Sequence, residues 1–248
     1  MQVGAILSSW SDNLFEQLLF TTVRIECLDH RGIPSCVGTG FFLQKQIEAG
    51  AYKIYLVSNR HVLHDGVDSI NIWFTKAKDG KPLVGQCEHI LIERISQMVV
   101  PHPDVDLAIL DCTALVTRFP ESLYFKAVSR EALVDFKEPE LSVADNIYFV
   151  GYPEDIFDIS TGLPLLRTGA ISSLPQADFD GLPQIVIDAQ VFPGSSGSPV
   201  FIRFSHSIKL LGIITASFNK HQSSLGLGIV IKATCIKKLI DDISGNCI

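Results

Sequence analysis

The sequence predicts an all-β fold: two six-stranded antiparallel β-barrels packed face to face, followed by a C-terminal helix. Three observations predict it. Short β-rich runs separated by turn residues recur in two sets of six. No helical pattern alternates with them, which excludes a parallel βαβ sheet. A less regular stretch divides the two sets, and an amphipathic segment follows the second.

Taken in order, residues 1–20 are an N-terminal helical extension, with Ser11 or Asp12 as N-cap and Leu14 and Leu18 on one face. Packing on the domain is its expected role; Trp10, Phe15 and Phe20 also offer a docking surface to a partner. The first barrel, residues 21–112, has strands near Thr22–Cys27, Ser35–Gln44, Tyr52–Ser58, Ser69–Thr75, His89–Val100 and Asp106–Cys112. Residues 113–143 form a connector with one short helix near Arg130–Phe136. The second barrel, residues 144–232, has strands at Asn146–Gly151, Leu163–Ser172, Gln184–Val191, Pro199–Arg203, Ile208–Ser217 and Gly226–Lys232. In residues 233–248, a helix over Ala233–Ile243 lines up Ile236, Leu239 and Ile240, and a tail follows.

Composition narrows the function. Of 248 residues, 47% are hydrophobic and 19% charged, which supports a sizeable core and excludes disorder. The net charge is -7 and no Lys/Arg cluster interleaves with aromatics, so nucleic acid is not an expected partner. No apolar run approaches the roughly 18 residues of a membrane span. Met1 to Phe20 lacks a basic segment leading into an apolar one, so no signal peptide is expected. Six cysteines (Cys27, Cys36, Cys87, Cys112, Cys235 and Cys247) form no C-x-x-C pair and no zinc-like cluster with histidine. Free thiols in the cytoplasm or another reducing compartment are therefore expected, with a non-classical route of secretion left open; neither metal nor cofactor is called for.

The chemistry centres on Phe192-Pro193-Gly194-Ser195-Ser196-Gly197-Ser198-Pro199, between two strands. Its glycines allow a tight turn that presents a hydroxyl, from Ser195 or Ser196, and aims backbone N–H groups into a common space. Acyl transfer needs this pairing of nucleophile and oxyanion donors. A base is available in Val57-Ser58-Asn59-Arg60-His61-Val62-Leu63, where His61 follows an apolar strand. Asp104-Val105-Asp106-Leu107-Ala108-Ile109-Leu110 supplies a carboxylate at a strand entry, able to fix the imidazole tautomer. His30, His64, His89, His206 and His221 are read as ordinary loop or core histidines. The chain order is His, Asp, Ser, with the serine on the second half.

At this point the chain resembles the trypsin-like, chymotrypsin-fold serine peptidases, and within them the HtrA/Deg branch. The resemblance runs from about Thr22 to Ile243. Gly38-Thr39-Gly40-Phe41-Phe42-Leu43 is similar to the family's second strand, and Ser58-Asn59-Arg60-His61-Val62 to its histidine motif. Asp106-Leu107-Ala108-Ile109-Leu110 matches the aspartate motif and selects Asp106 over Asp104. Val150-Gly151-Tyr152-Pro153, Thr168-Gly169-Ala170-Ile171-Ser172 and Gly226-Leu227-Gly228-Ile229-Val230-Ile231 resemble second-barrel strands. Gly194-x-Ser196-Gly197-x-Pro199 matches the nucleophile motif and selects Ser196.

The resemblance implies a serine endopeptidase with a triad of His61, Asp106 and Ser196, an oxyanion hole at the N–H groups of Gly194 and Ser196, and a protein or peptide substrate. It implies substrate contacts at Gln190, Thr215, Ala216, Ser217, Gly226 and Gly228. Gln190 falls near the position of trypsin's specificity aspartate, so an uncharged residue is expected on the acyl side of the cut. The alternative is a catalytically silent or partner-activated scaffold of the same fold. Three departures carry information. Ser195 replaces the aspartate that pairs with a cleaved N-terminus in trypsins, so activation by such a cut is not expected. Val62 replaces a cysteine of secreted members. The chain ends at Ile248, and no regulation through a PDZ domain, common in the HtrA branch, is expected.

Overall fold

The structure is a computed structural model that describes residues 13–48, 50–63, 66–119, 121–205, 207–220 and 223–245. Trp10, the expected caps Ser11 and Asp12, His64, His206, His221 and Cys247 lie outside the described residues.

The chain is all-β in two halves. The first half contributes β1 (Thr22–Leu28), β2 (Pro34–Glu48), β3 (Ala51–Ser58), β4 (Ser69–Lys78), β5 (Lys81–Ile92), β6 (Val99–Pro101) and β7 (Ala108–Asp111), in the spatial order β5-β4-β1-β2-β3-β7-β6. Two short strands, β8 (Leu123–Tyr124) and β9 (Val128–Ser129), add to β4 and β2 and bring this sheet to nine strands. The second half is a closed barrel, β10 (Asn146–Gly151), β11 (Leu165–Ile171), β12 (Gln184–Asp188), β15 (Ser223–Lys232), β14 (Ser207–Lys220) and β13 (Pro199–Phe204). Among the described residues the α-helices are α1 (Leu14–Leu18), α2 (Arg60–Leu63), α3 (Thr113–Arg118) and α4 (Ala233–Gly245).

The run expected as one strand over His89–Val100 is two strands, β5 and β6, parted by a 3₁₀ turn at Ile95–Gln97. Arg94 there adopts a left-handed φ of 55°, which stops the ladder. Residues 130–132 form only a 3₁₀ turn where a helix over Arg130–Phe136 was expected. α1 begins later than expected, with Asn13 as N-cap: its side chain accepts from the Phe15 N–H at 3.0 Å. Phe15 packs tilted against Tyr148 at 4.5 Å and Phe20 edge-on against Tyr124 at 5.0 Å, so both aromatics serve internal packing.

Three apolar clusters hold the fold. One lies within the first sheet around Ile25, Phe42, Leu56, Ile70 and Phe74. A second fills the barrel with Phe149, Ile185, Ile187, Val200 and Ile214. The third joins the halves: Phe41, Leu43, Tyr55 and Val57 from the first meet Phe201, Leu210, Ile213 and Ile231 from the second, and α4 covers them with Ile236, Leu239 and Ile240. Each fully buried side chain of this size contributes about 1.5–3 kcal/mol, so the shared cluster fixes how the halves sit. At its rim Asp241 of α4 pairs with Lys45 of β2 at 3.0 Å and with Arg130.

The cysteine expectation fails at one pair. Cys27 and Cys36 face each other across β1 and β2 and form a disulfide, with Cα atoms 5.0 Å apart. Directly paired strand positions bring two Cβ atoms within bonding reach, a proximity that motif spacing does not reveal. Among the described residues Cys87, Cys112 and Cys235 are free thiols.

Candidate active site

His61 and Asp106 are brought together by three short devices. Asn59 ends the stretch after β3 and is fully buried; its carbonyl accepts from the N–H groups of Val62 and Leu63, starting the single turn of α2 that carries His61. Its side-chain Nδ2 donates to the Asp106 carbonyl at 2.7 Å, tying the histidine segment to the aspartate loop. Asp106 lies just before β7, outside the strand in which the sequence placed it. Its Oδ2 accepts from His61 Nδ1 at 2.7 Å, and its Oδ1 from the His61 backbone N–H at 3.1 Å. Asp104, the rejected candidate, is exposed and its N–H donates to His102 Nδ1.

A third donor reaches Asp106 from the other half. Thr215 Oγ1 donates to Oδ2 at 2.8 Å. Thr215 occupies a bulge in β14: Ile214 pairs with Val230 and Ala216 with Ile229, leaving Thr215 unmatched. A bulge turns one side chain away from its ladder position, here toward the aspartate. Burial alone would raise the Asp106 pKa; the hydrogen bonds from His61 and Thr215 outweigh it and hold the carboxyl below its ordinary range.

The serine turn packs against both halves. Gly194 and Gly197 have φ of 84° and 85°, a region open to glycine, and a Cβ would stand 2.3 Å from the Tyr152 carbonyl at one and 2.0 Å from the Thr39 carbonyl at the other. Ser196 is half-buried between them. Its carbonyl accepts from the Thr39 N–H at 2.9 Å, and the Gly197 N–H donates to the Ile214 carbonyl at 2.9 Å. Thr39 Oγ1 donates to the Gly194 carbonyl at 2.8 Å, and the Thr39 carbonyl accepts from Ser58 Oγ at 2.6 Å. The Ser196–Gly197 peptide is thus bonded to Thr39 of β2 on one side and to Ile214, next to Thr215, on the other. Among the described residues no hydrogen bond joins the Ser196 and His61 side chains.

Two peptide groups of the turn have fixed orientations. The Pro193 carbonyl accepts from the Glu154 N–H at 2.6 Å, and the Ser195 carbonyl accepts from the Ser198 N–H at 3.0 Å. In a trans peptide the N–H points opposite the C=O, so the N–H groups of Gly194 and Ser196 both face away from these partners.

Of the expected substrate residues, Ala216 and Ser217 lie on a stretch of β14 beyond Ile213, the residue at which its ladder with β13 ends. Thr215, on the same stretch, directs its hydroxyl to Asp106. Gln190 is exposed and its carbonyl accepts from Arg167 at 2.7 Å. The Gly226 carbonyl accepts from the Ala189 N–H at 2.8 Å. Gly228 faces Val191: a Cβ there would stand 2.6 Å from the Val191 methyl. Sequence reasoning quoted Thr39 and Asn59 within motifs but gave them no part. Their signal was a polar side chain at a position flanked by buried strand, where a partner is needed.

Fold and site together define a trypsin-like serine peptidase of the chymotrypsin fold. Residues 38–213 match the family model described as "Trypsin-like peptidase domain", and the chain belongs to that family. It is similar to proteins named "Probable periplasmic serine endoprotease DegP-like" from Brucella suis and Brucella abortus, 27% identical over 212 residues. Those matches cover 85% of this chain but 33% of the relatives, so the chain spans about a third of their length. Among solved structures, the active form of the Rv3671c protease of M. tuberculosis matches with a TM-score of 0.54 at 20% identity, covering 92% of this chain and 83% of that one. An inactive form matches with a TM-score of 0.52 at 17% identity, covering 94% and 91%. These structures show the shared fold.

The expectation of a cytoplasmic or reducing compartment is overturned. The curated relatives carry a periplasmic name, and the Cys27–Cys36 disulfide fits an oxidising environment. The expectation rested on the cysteine spacing and the first twenty residues, and neither reads out compartment once a cross-strand pair is present.

Proposed function

We propose that this chain is a serine endopeptidase that cleaves peptide bonds in proteins through His61, Asp106 and Ser196, in an extracytoplasmic compartment. The observation that carries it is the carboxylate of Asp106 gripping both the ring Nδ1 and the backbone N–H of His61, with the serine turn bonded to Ile214, the neighbour of the third donor Thr215. With Nδ1 donating to Asp106, Nε2 is left as the acceptor. Ser196 Oγ forms a bond to the substrate carbonyl carbon as its proton passes to Nε2. The carbonyl becomes an oxyanion, taken by the N–H groups of Gly194 and Ser196, each worth about 2.7–4 kcal/mol of barrier by analogy with a side-chain donor. Collapse breaks the C–N bond, the amine leaves with the proton from His61, and water releases the acyl group by the same steps in reverse. Asp106 stays ionised throughout and stabilises the imidazolium.

The substrate strand adds to β14 beyond Ile213, where its ladder with β13 ends, an augmentation that reads backbone first. Val191 packs so closely on Gly228 that a Cβ there would stand 2.6 Å from its methyl, and a wall built this way favours a small uncharged residue before the cut. Fluorophosphonate labelling tests the reading: wild type is expected to label and Ser196→Ala not. Absence of labelling in wild type, or labelling in both, overturns the nucleophile assignment. In a peptide library, a preference for Arg or Lys before the cut overturns the pocket.

A further inference from the structure

The serine turn has no charged residue of its own to hold it. The position before Ser196 is Ser195, and its N–H is spent on the Phe192 carbonyl at 3.0 Å. The turn leans instead on the segment 152–157 that follows β10. The Glu154 N–H fixes the Pro193 carbonyl at 2.6 Å, and Gly194 lies against the Tyr152 carbonyl so closely that no side chain fits between.

That supporting segment does not hold its shape by backbone preference. Glu154 and Asp155 are successive non-glycine residues with left-handed φ of 51° and 58°. Such conformations persist only where surrounding contacts over-determine them. The contact here is Arg24 of β1, in the other half of the molecule. Its Nε and Nη2 donate to the two carboxylate oxygens of Asp155 at 2.6 and 2.9 Å, a bidentate pair. The Arg24 side chain is only 6% exposed. It is aimed by Glu26, which accepts from Nη1 at 2.7 Å and is itself held by Asn71 at 2.9 Å. The guanidinium lies over Trp73 at 4.5 Å and Phe157 at 5.7 Å, so the segment is gripped at Asp155 and at Phe157.

We propose that the Arg24–Asp155 pair is a positioning device for catalysis: by pinning the segment 152–157 it sets the Pro193–Gly194 peptide, and with it the Gly194 N–H, in the orientation that binds the oxyanion. The inference rests on the serine-peptidase reading given above. It assigns to a strand of the first half the control of an oxyanion donor in the second. Arg24 touches no reacting atom; it acts through Asp155, Glu154 and Pro193 in turn.

The experiment compares wild type with Asp155→Asn and Asp155→Gly in the full chain. Asn tolerates the left-handed backbone and keeps the shape while removing the charge; Gly removes the backbone strain and the carboxylate together. Asp155 is 44% exposed on its side chain, so neither change leaves a cavity in the core. Active sites are counted by fluorophosphonate labelling, and kcat and KM are measured per labelled site at a temperature where all three proteins are folded. Binding of a peptide boronate, which forms a tetrahedral adduct on the serine, is measured alongside. The expected result is a fall in kcat of about 10- to 100-fold with KM changed by no more than about threefold, and a loss of boronate affinity by the same factor as kcat. Arg24→Lys, which leaves Asp155 in place, is expected to lower both as well, because an ammonium cannot make the paired donation. If both Asp155 variants keep wild-type kcat and boronate affinity per labelled site and lose only thermal stability, the pair is merely structural and the proposal is overturned. Failure of wild type to label at all would instead overturn the reading on which it rests.

Discussion

Thr215 Oγ1 and His61 Nδ1 meet on one oxygen of Asp106, at 2.8 and 2.7 Å from Oδ2, although Thr215 comes from the barrel and His61 from the sheet. The shared acceptor makes the aspartate a joint between the halves as well as the partner of the histidine. Removing the hydroxyl leaves Oδ2 with one donor fewer in a partly buried place. A hydrogen bond to a charged group contributes about 1.5–3 kcal/mol. Thr215→Val is therefore expected to lower kcat/KM by about 10- to 100-fold. Thr215→Ser should keep most of the activity. Steady-state kinetics on a peptide substrate decides it, and equal loss in both variants would show that the methyl group matters instead.

Asp106 also predicts how stability follows pH. Its carboxyl titrates below the ordinary range in the folded state, so the native protein binds fewer protons here than the unfolded chain. The sign follows: its contribution is fully present above the unfolded value of about 3.9 and is lost as pH falls through the lower folded value. Urea unfolding of wild type against Asp106→Asn should show a stability gap that is constant from pH 7 to about 5 and narrows below about 3.9. A gap that widens on acidification would contradict the assignment.

The thiols should sort by environment. Burial pushes Cys112 up to about 12 and Cys235 up to about 11, so neither offers a thiolate at pH 8. Alkylation of the native protein without reductant is expected to spare both. After unfolding without reductant, Cys87, Cys112 and Cys235 should alkylate while Cys27 and Cys36 do not; mass mapping reads this directly. Replacing the pair by alanines opens a loop of sequence separation 9 and is expected to cost about 2–3 kcal/mol.

Gly151 and Ser198 should be energetically coupled. A Cβ on Gly151 would lie 2.0 Å from Ser198 Oγ, a buried hydroxyl with no hydrogen-bond partner among the described residues. Gly151→Ala is expected to destabilise by about 1–3 kcal/mol through overpacking. Ser198→Gly in the same chain should recover much of that. A double-mutant cycle in denaturant measures the coupling, and strict additivity would refute it.

The sequence made the two β-rich halves and α4 legible, and singled out His61, Asp106 and Ser196 as candidates, because each rests on local pattern: alternation, an amphipathic stripe, a short motif. What it hid depends on pairing between distant segments. The Cys27–Cys36 bridge needs the register of β1 on β2, and the role of Thr215 needs a bulge that only the β14–β15 ladder reveals. The break at Arg94 escaped for a different reason: nothing in its side chain forecasts a left-handed backbone. Asp155, similarly, reads as a solvent-facing loop acid until Arg24 is placed beside it.

α4 lies after every residue of the proposed triad in chain order, yet its Ile236, Leu239 and Ile240 cover the cluster through which the halves meet. A ribosome therefore emits histidine, aspartate and serine well before the element that clamps their two supports together. A chain halted between Lys232 and Ala233 carries the full set of reactive groups and lacks the clamp.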